Sequence, residues 1–177
     1  MTPTLAAATD TVENDELSSM IARLQTQRAC IDFAALEIRD LPGPVLEVGL
    51  GKARTYGRLR RMFPERAIFA FDREIKCRPE LCPDSGHVYL GDFLDTLPDA
   101  ARRLGRVAAL AHVDVGTHDE ARNAALAESL APLLNALVSP GGLVLSDRAM
   151  AHSTWSSRML PRDAKGWPYF IYQVQAR

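Results

Sequence analysis

Apolar residues along this chain follow two rhythms: a spacing of three and four, which marks helices, and short unbroken runs, which mark buried strands. From Asp15 to Arg39 the helical rhythm runs through Leu17, Met20, Ile21, Leu24, Ile31, Ala35 and Ile38, until Pro42-Gly43-Pro44 ends it. Val45 to Val48 then predicts a strand, Ala53 to Met62 a helix stopped before Pro64, and Ala67 to Phe71 a strand that closes on Asp72. The intervening length suits a parallel crossover with one helix of about three turns. Arg73 to His87 reads as loop with at most a short helix, and His87 to Leu90 as a third strand.

Asp95 to Arg103 predicts a short helix, and Val107 to Val113 a strand apolar enough to be buried on both faces. Thr117 with Glu120 has capping-box spacing, starting a helix with Ala121, Ala125, Leu130, Leu133, Leu134 and Leu137 inward and a kink or break at Pro132. Ser139-Pro140-Gly141-Gly142 reads as the turn before a fifth strand, Leu143 to Ser146. Trp155 to Leu160 and Tyr169 to Val174 complete the pattern as an antiparallel hairpin.

Strands alternating with helices predict an α/β fold with a mostly parallel sheet covered on both faces and a C-terminal antiparallel strand. The length of 177 residues suits one domain, read as residues 1–177 with a flexible 1–12 and an N-terminal helical segment over 13–40. An apolar fraction of 47% can fill its core, and a net charge of −1 gives no general attraction to nucleic acid or an anionic membrane. No apolar run approaches the roughly 20 residues of a membrane span. The first residues lack a secretory pattern, so the expected location is cytoplasmic. Cys77 and Cys82 are read as free loop thiols, since with His87 they make a poor zinc pattern.

In such sheets ligands bind beyond the carboxyl ends of the strands, which here carry Glu47 to Gly51, Asp72, Gly91 to Phe93, Asp114 and Asp147. Gly49 and Gly51 permit a tight turn at a helix N-terminus. The Asp72 carboxylate suits the vicinal hydroxyls of a ribose, Asp92 an exocyclic purine amine, and Phe93 an apolar ring face. Arg54 stands near enough to the turn to reach a ligand carboxylate.

Leu46-Glu47-Val48-Gly49-Leu50-Gly51, Asp72, Gly91-Asp92-Phe93 and Asp114, in that order, resemble the motif set of class I S-adenosylmethionine-dependent methyltransferases. Arg54-Thr55-Tyr56 after the turn is similar to a small bacterial branch of that superfamily. The resemblance implies a Rossmann-like three-layer α/β/α sandwich and S-adenosyl-L-methionine as cofactor. It implies Glu47 and the Gly49 to Gly51 backbone at the methionine end, Asp72 at the ribose, Asp92 and Phe93 at the adenine, and Asp114 near the methionine amine or the acceptor. The cofactor-binding set is thus Glu47, Gly49, Leu50, Gly51, Arg54, Thr55, Asp72, Arg73, Asp92, Phe93 and Asp114. Ala53 departs from the family by replacing its usual third glycine.

The expected function is methyl transfer to a small-molecule acceptor, without nucleic acid or membrane as partner. A second copy of the chain is one use of the N-terminal helix, and a lid over the cleft the other. His118, Asp114 and Asp147 are candidate bases, with none assigned. Asp114 and Asp147 resemble the magnesium carboxylates of catechol-type enzymes, but Arg148 beside Asp147 disfavours a metal, and none is predicted. Arg58, Arg60, Arg61 and Arg66 read as a solvated helix face, and Trp155, Trp167, Tyr169 and Phe170 as core or acceptor wall. The alternatives are an NAD(P)-dependent oxidoreductase, whose fingerprint wants glycine where Arg54 stands, and a non-catalytic cofactor-binding module.

Overall fold

The computed structural model describes residues 15–117, 119–164 and 166–176. The expectation for residues 1–12 therefore lies outside them. Helix α1 (Glu16–Glu37) begins where the Asp15 carboxylate accepts from the Ser18 amide at 2.9 Å. After it come β1 (Val45–Val48), α2 (Arg54–Met62), β2 (Ile68–Asp72), two short 3-10 turns, β3 (Val88–Leu90), α3 (Phe93–Leu104) and β4 (Ala108–Val113). The chain closes with α4 (Glu120–Leu137), β5 (Val138–Ser146), β6 (Trp155–Arg158) and β7 (Phe170–Val174).

The seven strands form one sheet in the order β3-β2-β1-β4-β5-β7-β6. β1 pairs in parallel with β2 and β4, and β4 with β5, whereas β7 runs antiparallel to both β5 and β6. Val48, Val113 and Val144 pack with α3 and α4 residues on one face, and Val45, Leu110 and Leu145 with α1 and α2 residues on the other. This is the expected Rossmann-like three-layer sandwich, with the strand order reversing between β1 and β4.

Several local expectations differ. The inner face of α1 is real only in its second half, where Ile31 and Ile38 are buried, while Leu17, Met20, Ile21 and Leu24 are exposed. The helix overhangs the strand ends, and its overhanging half has no sheet to cover. Asp119, rather than Thr117, caps α4, accepting from the Arg122 amide at 3.0 Å. Ala121 and Ala125 face outward, and α4 continues unbroken through Pro132, which removes only one bond of the ladder. Ser139 to Gly142 belong to β5 as an irregularity in its pairing with β4, where the Ser139 hydroxyl donates to the Ala108 carbonyl at 3.0 Å. Cys77 and Cys82 are joined as a disulfide, correcting the free-thiol reading; five positions apart on a folded-back loop, they come within bonding reach. Cys30 is a buried free thiol. Among the described residues no helix is long and apolar enough to cross a membrane.

Candidate functional site

The turn after β1 is built from three left-handed residues, Gly49 (φ 95°), Gly51 (φ 48°) and Ala53 (φ 61°). Gly49 donates to the Phe71 carbonyl at 2.9 Å, and a Cβ on it would stand 2.2 Å from the Asp114 carbonyl oxygen. A Cβ on Gly51 would meet nothing within 4 Å. The first glycine thus locks the turn against β4, and the second keeps space open above it. Ala53, in place of the third glycine, adopts the conformation a glycine would and caps α2 without any side-chain hydrogen bond.

Glu47, fully buried, supports the turn from below. Its Oε1 accepts from the Thr55 hydroxyl, and its Oε2 accepts from His112 Nδ1 at 2.7 Å, opposite it in the β1–β4 ladder. Burial disfavours charge on His112, but Glu47 outweighs it, aided by Asp114 and Asp147, so the imidazole pKa is raised above its ordinary value. The methionine-end contact expected of Glu47 therefore meets a carboxylate already bonded on both oxygens. Leu50 is buried too.

A cavity of about 490 Å³ opens beside the turn, and Gly49, Gly51, Asp72, Arg73, Phe93 and Asp114 are among its walls. Asp72 Oδ2 accepts from the Gly51 amide at 2.8 Å, and its Oδ1 from the Arg73 amide at 2.7 Å. Arg73 donates to Asp92 Oδ2 at 2.5 Å and lies over the Phe93 ring, its guanidinium carbon 5.9 Å from the centroid. Asp92 also caps α3 through the Leu94 amide; that bond, reinforced by Arg73, lowers its pKa. Arg54, expected to reach a ligand carboxylate, is exposed at the start of α2 and is not among the cavity's walls.

A second cavity, of about 500 Å³, adjoins the first and shares Gly116 and Thr117 with it; Arg23, Glu120, Asp147, Arg148, Trp167 and Pro168 complete its lining. Asp114 stands at the junction, accepting from Arg23 on one oxygen and from Gln27 at 2.8 Å on the other. The overhanging part of α1 thereby closes over the strand ends. Thr117 is clamped by Asn123, whose Oδ1 accepts from the Thr117 amide at 2.9 Å and whose Nδ2 donates to the Thr117 carbonyl at 2.8 Å. Another cavity, of about 620 Å³, lies between α2 and the segment around Cys82 and touches none of the turn residues.

Four buried polar atoms find no hydrogen-bond partner among the described residues: His112 Nε2, Asp147 Oδ1, Arg148 Nε and Tyr169 Oη. Burial, followed by repulsion from Asp114, raises the Asp147 pKa from 3.8 to about 6; Arg148 and Arg23 work against the rise, and a hydrogen bond that protonated Asp147 can give Asp114 adds to it. Burial first, then the neighbouring Cys30, Asp114, Glu47 and Asp147, push the Tyr169 hydroxyl up. Among the described residues no group of three or more His, Cys, Asp or Glu is arranged to hold a metal. His118, a candidate base, lies outside the described residues.

Sequence reasoning missed Arg23, Gln27, Gly116 and Asn123. Asn123 carried one weak signal, an amide inside a helix next to a loop. Arg23 and Gln27 carried none, because contacts across 91 and 87 positions leave no local trace, and Gly116 is singled out only by its closeness to the distant Asp147 and Arg148.

The family model described as S-adenosyl-L-methionine methyltransferase matches residues 14–174. The crystal structure of S-adenosyl-L-methionine methyl transferase from Silicibacter pomeroyi DSS-3 is 35% identical in sequence. The match covers 92% of this chain and 99% of that one, with a TM-score of 0.86. The human Methyltransferase-like protein 13 in complex with SAH shares the fold at 15% identity, with a TM-score of 0.56 over 88% of this chain and 82% of that one. No curated protein matches the chain.

Proposed function

The chain belongs to the S-adenosyl-L-methionine methyltransferase family, and from that premise we propose that it methylates a small molecule held in the cavity beside Asp147, with the cofactor in the cavity beside the glycine turn. The nicotinamide alternative falls away with the family established. The observation that carries the reading is the pair of adjoining cavities sharing Gly116 and Thr117, each near 500 Å³, within the range of small-molecule sites.

The residues present fit the cofactor. Gly51 leaves open the space a Cβ would fill, Asp72 offers a carboxylate for ribose hydroxyls at the end of β2, and Phe93 an apolar face. Gly49, Gly51, Asp72, Arg73, Phe93 and Asp114 would hold it, with Glu47 and Thr55 supporting the turn from beneath. S-adenosylmethionine supplies a methyl group already activated by its sulfonium charge, so the protein needs no nucleophile of its own. Its work is alignment and exclusion of water. Arg23 and Gln27, bonded to Asp114, roof the junction between the cavities.

Isothermal titration with S-adenosylhomocysteine tests the cofactor half: the wild type binds, and Asp72→Ala binds at least tenfold more weakly. Undiminished binding in that variant would overturn the residue assignment. Incubation of labelled S-adenosylmethionine with the enzyme and size-fractionated cell extract tests the acceptor half. Label is expected in the low-mass fraction, and label confined to protein or nucleic acid overturns the small-acceptor reading.

A further inference from the structure

Resting on that reading of the second cavity, we propose that its acceptor is an amine and that Asp147 Oδ1 receives the proton the nitrogen gives up on methylation. Asp147 ends the line of β5, and its side chain is only 6% exposed. Its Oδ1 accepts no hydrogen bond among the described residues, although the residue lines the cavity. A buried carboxylate oxygen left without a donor is costly and uncommon, so its natural complement is a donor brought by a ligand.

The surrounding charges favour a cation. Arg23 from α1 is bonded to Asp114, and Arg148 donates to both oxygens of Glu120 at 2.9 and 2.8 Å. Each guanidinium at the cavity is therefore matched by a carboxylate. Asp147 is left over: Arg148 Nε lies 3.7 Å from its Oδ2, beyond hydrogen-bond length, and the neighbouring Asp114 can bond to it only through a proton that one of the two carries. His112 from β4 contributes to the field around Asp147 but is already paired with Glu47. Trp167 gives the same cavity an aromatic side chain, the usual companion of a carboxylate in ammonium sites.

A hydroxyl acceptor fits less well, because a carboxylate is too weak a base to help an alcohol much. An amine needs less help. Bound as its ammonium, it first passes one N–H proton to Asp147 Oδ1; the lone pair so freed forms the new bond to the methyl carbon, and the carbon–sulfur bond breaks with its electron pair going to sulfur, leaving the positive charge on the methylated nitrogen. Gly116 makes the approach possible: a Cβ there would stand 2.9 Å from Asp147 Oδ2 and 2.7 Å from Arg148 Nη2, between the two cavities.

The test uses benzylammonium as probe and benzyl alcohol as its uncharged control, titrated into the full-length protein with S-adenosylhomocysteine present. Benzylammonium is expected to bind the wild type at least tenfold better than benzyl alcohol and to lose at least tenfold in Asp147→Asn. S-adenosylhomocysteine should bind that variant as it binds the wild type. Absence of benzylammonium binding, equal binding of the alcohol, or an undiminished affinity in Asp147→Asn overturns the proposal. Loss of S-adenosylhomocysteine binding by the wild type would instead strike the cofactor reading. Thermal unfolding against pH gives a readout independent of the probe. Asp147→Asn should be the more stable protein above the pH where Asp147 ionises and should lose that advantage below it. Parallel profiles would contradict an uncompensated carboxylate.

Discussion

Gly49 and Gly51 look alike in sequence, yet alanine at the two positions should produce opposite failures. At Gly49 the added Cβ meets the Asp114 carbonyl oxygen at 2.2 Å and the carbonyl carbon at 2.9 Å, both backbone atoms. That backbone cannot yield cheaply, because the Asp114 amide is tied to the Val48 carbonyl at 2.9 Å. Overpacking of this kind costs roughly 1–3 kcal/mol, and a non-glycine residue at φ 95° adds about 1–3 kcal/mol. We therefore expect Gly49→Ala to lose about 3 kcal/mol or more, a melting-point drop of roughly 6–12 °C for a chain of this size. At Gly51 only the left-handed backbone is strained, at about 1 kcal/mol, and the methyl group projects into open space. Gly51→Ala should melt within about 4 °C of wild type but bind S-adenosylhomocysteine at least tenfold more weakly, a loss of about 1.4 kcal/mol. Urea unfolding followed by tryptophan fluorescence gives the stabilities, and calorimetric titration the affinities. Wild-type affinity in Gly51→Ala, or an unchanged unfolding midpoint in Gly49→Ala, would refute this division of labour.

Glu47→Gln should cost about 3 kcal/mol or more by leaving the buried His112 without its carboxylate, measured as a urea midpoint shift. Because His112 is raised in the fold, its stabilising contribution is complete below its unfolded value of 6.5 and fades as pH climbs through the folded one; in Glu47→Gln that dependence should flatten. Asp147 works in the same direction: raised from 3.8 to about 6, it takes stability away as pH rises across that window, and Asp147→Asn should remove the loss. Ala53→Gly should change stability by less than about 1 kcal/mol, since relief of the left-handed backbone at φ 61° offsets the greater freedom of glycine in the unfolded chain; a larger loss in chemical denaturation would contradict this.

The sheet was legible because β1 and β4 are buried along their whole length and so read as nearly continuous apolar runs, as in Ala108–Val113, where His112 is the one polar residue. The ends of those strands were legible for the same reason: Glu47, Asp72 and Asp114 are polar interruptions at the ends of apolar runs. What periodicity does not carry is how far an element extends past its neighbours. Leu17, Met20, Ile21 and Leu24 keep perfect helical spacing and still face outward, because α1 outruns the sheet. Pairwise chemistry across the chain was also invisible. Nothing near Asp114 announces Arg23 and Gln27, and nothing near Thr117 indicates that Asn123 grips it from both sides. Ser139 to Gly142 carried every mark of a turn and were absorbed into β5, where pairing with β4 outweighed local preference.

The ladder partnership of Glu47 and His112 has a consequence for descent as well as for folding. The two residues are 65 positions apart in the chain but opposite each other in the sheet, completely buried and bonded together. A lineage that loses either one leaves a polar group stranded in the interior. These positions should therefore drift in step, an acid and an imidazole kept together or exchanged together for an apolar pair of similar volume. Among descendants of this chain, a lone change at either position should be the rarer event.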